Sequence, residues 1–79
     1  MNDIPVEAAR QIVEALIANW QGKQYSLLVS LRVQKKIREV LQDKSADDAI
    51  AQIESDLRRV EIALDELGAE LSTLDAGEQ

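Results

Sequence analysis

Large apolar residues recur through the second half of the chain in strict alternating steps of three and four: Ile50, Ile53, Leu57, Val60, Leu64, Leu67, Leu71 and Leu74. A strand would show them at every second residue. Steps of three and four gather them on one narrow seam of a helix. The segment 46–74 is therefore predicted as a long heptad helix that packs along its length on another helix. With Ile50 at heptad position a and Ile53 at d, the flanking e positions hold Glu54, Glu61, Gly68 and Asp75, and the g positions hold Ala49, Asp56, Ala63 and Glu70. None of these is basic. In a parallel self-pair Asp56 would meet Glu61 and Glu70 would meet Asp75, each unfavourable by roughly a few tenths of a kcal/mol. The seam calls for an antiparallel neighbour or a more basic helix.

The first half of the chain reads as two helical pieces. Asp3 can cap a helix, Pro5 sits in its first turn, and Glu7 suits the positive end of the helix dipole. Ala9, Ile12, Val13, Leu16 and Trp20 form a stripe, with Arg10, Gln11 and Glu14 directed elsewhere. This predicts a first helix over 5–21. Gly22 costs a helix about 1 kcal/mol relative to Ala and marks a break or a flexible point. From Tyr25 to Val33 apolar and other residues alternate with period 2, a strand signal. Yet Tyr25, Val29, Val33, Ile37 and Val40 also share one helical face, and 34–41 is good helix sequence. No second strand is available for pairing, and a lone strand would leave its backbone groups unpaired. A second helix over 24–42 follows.

Gln42 to Ser45 is a polar turn, with Ser45 the expected N-cap and Asp47 and Asp48 in the first turn of the last helix. A turn this short makes its neighbours antiparallel. Arg32, Lys35, Lys36 and Arg38 would then run back along an acidic helix. The tail 75–79 has little to bury and is expected to fray. The predicted fold class is all-α, a single small domain. It is an antiparallel helical hairpin with coiled-coil-like packing and a long C-terminal heptad helix, about 46–74, plus an N-terminal helix. A helix over 24–42 would span roughly 28 Å and one over 46–74 roughly 43 Å. Two arrangements satisfy the seam. Either the first helix continues past Gly22 and makes one long two-helix hairpin, or Leu64, Leu67, Leu71 and Leu74 are left for another chain.

Composition narrows the function classes. The 79 residues include no Cys and no His, which excludes disulfides and thiolate metal sites and removes the commonest general base. There is no glycine-rich phosphate loop and no nucleophile motif. The acidic neighbours Asp47/Asp48 and Asp65/Glu66 are adjacent in sequence and do not face each other on a helix. The chain is expected to be no enzyme, with no catalytic residue, no cofactor and no metal. Fifteen acids against nine bases give a net charge of −6, which disfavours nucleic acid as a partner. Arg32, Lys35 and Lys36 share a face, and Arg58 and Arg59 lie outside the seam; both groups read as partners of nearby acids or as solvated charge. No apolar run approaches the roughly 20 residues of a membrane span, and the N-terminus lacks the positive stretch of a signal peptide. No membrane association and a cytoplasmic location are the default expectations.

The favoured function is non-catalytic binding of a protein partner, as adaptor, chaperone or inhibitor, through a coiled-coil-like surface. Leu64, Leu67, Leu71 and Leu74 are the candidate partner-binding residues. Trp20 and Tyr25, the two aromatics, are candidate anchors beside them, and a homodimer is expected in isolation. Two alternatives belong to other classes. Glu54, Glu61, Asp65, Glu66 and Glu70 could form an acidic row that mimics nucleic acid on a basic protein. A strand over 25–33 followed by two helices would resemble a small ribbon-helix-helix DNA-binding protein. That reading is weakened by a middle helix of about nine residues and by the overall acidity.

Overall fold

A computed structural model describes residues 4–77. They form two helices, α1 (Val6–Leu41) and α2 (Ser45–Gly77), joined by a three-residue turn. The particle is one helix layer thick, with extents of 56 × 22 × 14 Å. The all-α antiparallel hairpin is as expected, and the segment 25–33 is helix throughout.

Of the two arrangements open to the seam, the chain takes the continuous one. The expected pieces 5–21 and 24–42 are a single helix that passes through Gly22 without interruption. At 36 residues and ~1.5 Å each, α1 reaches ~54 Å and matches the whole of α2. Gly22 keeps ordinary helical backbone, so its cost is only that of propensity. Burial along the complementary seam of α2 outweighs it.

α1 has its own heptad seam. Val13, Ile17, Trp20, Gln24, Leu27, Leu31 and Gln34 follow steps of three and four and are all buried or half-buried. This corrects the stripe expected from the sequence. Ile12 and Leu16 point to solvent, as do Tyr25, Val33 and Val40, while Arg10 lies half-buried near the end of the seam. Two ion pairs mark the register. Arg10 meets Asp75 at 2.8 Å at the open end, and Arg38 meets Asp47 beside the turn. Four heptads separate the two arginines and four separate the two aspartates, so the antiparallel register holds along the full length. Asp75, expected in a frayed tail, is thus within α2 and paired. Glu78 and Gln79, with the proposed Asp3 cap, lie outside the described residues.

A two-helix layer covers each seam from one direction only. Among the described residues Val13, Ala46 and Val60 alone are buried, Val60 most completely at 1% exposure. The turn is tightly organised. Gln42 takes a left-handed conformation (φ 51°, ψ 40°) and ends α1. The Asp43 carboxylate accepts from the backbone N–H of Ser45 at 2.9 Å and from its hydroxyl at 2.6 Å. Asp43, not Ser45, therefore supplies the side-chain cap of α2. The Ser45 hydroxyl first, and its N–H second, hold the Asp43 carboxyl below the usual aspartate range.

Candidate interaction surface

The heptad phase divides each helix into a seam, two flanks and an outer face. Leu64, Leu67, Leu71 and Leu74 are half-buried on the α2 seam, toward α1. The expectation that they need another chain rested on a partner helix too short to reach them. The Arg10–Asp75 bridge shows that α1 extends past Leu74. Trp20 is half-buried in the α1 seam, with the Lys23 ammonium 4.9 Å from its ring centroid. That distance is within cation–π range. Trp20, Lys23, Leu27, Asp56, Arg59 and Val60 together line a shallow groove between the helices, about 270 Å³ in volume.

Tyr25 is separated from the other candidate anchors. It is 68% exposed and projects away from α2. One flank of α1 carries Ala18, Gln21, Tyr25, Leu28, Arg32 and Lys35, again in steps of three and four, and all six are exposed. It combines one aromatic, one leucine and two bases in a row. The opposite flank and outer face carry Ile12, Leu16, Val33 and Val40, also exposed, and the half-buried Ile37. Tyr25, Val29, Val33, Ile37 and Val40 share one face of the helix, as the periodicity predicts; Tyr25, Val33 and Val40 of that face are exposed, while Val29 and Ile37 are half-buried.

Charge is divided unequally between the helices. α1 holds six bases against three acids, a net +3; α2 holds nine acids against two bases, a net −7. Lys36 pairs with Glu39 one turn on, at 3.7 Å, and Arg38 pairs with Asp47 across the turn. On α2, Glu54, Glu61, Asp65, Glu66 and Glu70 are all exposed, and Ile62 stands among them at 69% exposure. Among the described residues, no helix is long and apolar enough to cross a membrane. No group of acidic side chains there is arranged to hold a metal ion.

No family model matches the chain, and neither the curated proteins nor the solved structures yield a match.

Proposed function

We propose that the protein is a non-catalytic binding module. Its hairpin is a scaffold that presents the outer surface of α1 to a protein partner. The exposure of Tyr25 and Leu28 on the same flank as Arg32 and Lys35 carries this reading. Tyr and Arg dominate the energetic centres of interfaces, because each combines a large contact area with a polar or charged end. A rigid helix holds them in a fixed row, so little side-chain ordering remains to oppose association. The row fits an amphipathic segment whose apolar side chains meet Tyr25 and Leu28 and whose acids meet Arg32 and Lys35. On this reading the partner site moves from the α2 seam, which serves the hairpin itself, to the outside of α1.

A photo-reactive phenylalanine analogue at Tyr25, with a matched variant at Glu66, tests the reading in extracts of the source cells. A discrete adduct from position 25, absent from position 66 and lost on changing Leu28 to Asp, is the expected result. An adduct at Glu66 alone would discard the α1 reading. If the captured protein bound nucleic acid, the net −7 of α2 would make mimicry the better account.

A further inference from the structure

The second flank of α1 carries a pattern of its own. Ile12, Leu16, Asn19, Lys23, Ser26, Ser30, Val33, Ile37 and Val40 continue steps of four and three along one strip, distinct from the seam that faces α2. Both ends of the strip are apolar and its middle is small or polar. The four outermost large residues, Ile12, Leu16, Val33 and Val40, are between 41% and 63% exposed. The pattern is self-complementary about Ser26. Laid antiparallel on itself, the strip places Ile12 opposite Val40, Leu16 opposite Ile37, Asn19 opposite Val33, Lys23 opposite Ser30, and Ser26 opposite Ser26. Ile12 and Leu16 meet Val40 and Ile37, Val33 meets the polar Asn19, and neither of the lysines on this side, Lys23 and Lys36, meets a like charge.

Relief agrees with the pattern. A hollow of about 560 Å³ lies beside Gly22, lined by Ala18, Asn19, Trp20, Gly22, Lys23 and Ser26. A β-carbon at Gly22 would meet nothing within 4 Å, so the hairpin itself does not fill this space. In the antiparallel arrangement Ser30 of a second copy arrives at the level of Gly22. Isologous contacts of this kind repeat every favourable pair twice.

Area points the same way. The chain exposes 6038 Å², whereas a compact monomer of 8.8 kDa would expose roughly 4,800 Å². The excess follows from the thin 56 × 22 × 14 Å shape and leaves room for the ~800 Å² per partner that a stable interface buries. Charge ranks the two like-with-like contacts. One through α2 would bring two surfaces of net −7 together, whereas one through α1 brings together two of net +3 and keeps both α2 helices outermost.

We infer that two copies associate through this strip of α1, antiparallel, with the two-fold axis at Ser26. The interface leaves the Tyr25–Leu28 flank outside it and stands independently of the partner proposed above. The test uses purified protein alone. Sedimentation equilibrium across the micromolar range should give twice the 8.8 kDa of one chain. Ile12→Glu with Val40→Glu should weaken the dimer by roughly a hundredfold or more, because each change counts twice by symmetry. Its far-UV circular dichroism should be unchanged, since both positions are exposed. The chain contains no cysteine, so Ser26→Cys should oxidise to a covalent dimer while Ser72→Cys on α2 should not. A wild-type chain that stays monomeric throughout would overturn the proposal. A dimer indifferent to the double glutamate change would overturn it too, as would cross-linking at Ser72 as readily as at Ser26.

Discussion

Gly68→Ala and Gly22→Ala probe the continuity of the two helices. Both glycines lie inside helices, neither has a positive φ, and a β-carbon at either would meet no atom within 4 Å. Alanine then adds no clash and removes only the backbone entropy of glycine, about 1 kcal/mol at each site. The sites lie on different helices, about five residues apart along the hairpin in the register of the two ion pairs, and share no contact of a β-carbon, so the effects should add to about 2 kcal/mol. For a domain of this size 1 kcal/mol moves the melting temperature by about 4–8 °C. Thermal unfolding followed at 222 nm, at one fixed protein concentration, should therefore show two increments and their sum. Gly22→Pro supplies the contrast, since proline inside a helix costs about 3 kcal/mol or more. If Gly22 were instead a hinge between two helices, alanine there would be neutral or harmful and proline would be tolerated. That pair of results would refute the continuous α1.

Further outcomes follow from the same geometry. Val60→Ala removes two methyl groups from the most buried site, and chemical denaturation should show a loss of roughly 2 kcal/mol. Gln42→Gly relieves a left-handed conformation and should raise the denaturation midpoint, whereas Gln42→Val should lower it. Asp43→Ala should reduce stability at neutral pH. Because the folded carboxyl titrates below the ordinary aspartate value, its contribution is complete above that value and disappears as pH falls through the lowered one. The wild-type and Asp43→Ala stabilities should therefore converge on acidification, and a constant gap would argue against the cap. Arg10→Ala should cost no more than about 1 kcal/mol, because the Asp75 side of the bridge is well exposed, yet amide exchange should quicken at both helix ends it joins.

The α2 seam was legible because every a and d position from Ile50 to Leu74 is apolar, so the period showed in the residue types alone. The α1 seam was concealed by three residues. Gln24 and Gln34 occupy seam positions, and Arg10 lies in line with them at the open end. Apolar residues alone therefore trace a stripe that straddles the seam, with Val13 and Trp20 inside it and Ile12 and Leu16 outside, as are Tyr25 and Val33 further on. Propensity at Gly22 argued for a break, and it is a local quantity. It could not register that an uninterrupted seam on α2 rewards a helix that carries on. The turn was placed correctly, but its cap went to Ser45 because both residues are good caps, and only the bonded geometry distinguishes them. Tyr25 was singled out as an anchor by its residue type; its direction depended on the phase of α1.

Because the two helices share a single turn, every cross-helix layer is nested inside the next one out. Forming the layer at Arg38 and Asp47 closes only a handful of residues, whereas the layer at Arg10 and Asp75 closes nearly the entire chain. Loop-closure entropy grows only slowly with such length, so once the inner layers exist each outer one adds at small extra cost. The hairpin thus behaves as a zipper with one fixed end. It closes outward from the Asp43 turn and opens inward from the termini, and its breathing is graded along the 56 Å of its long axis.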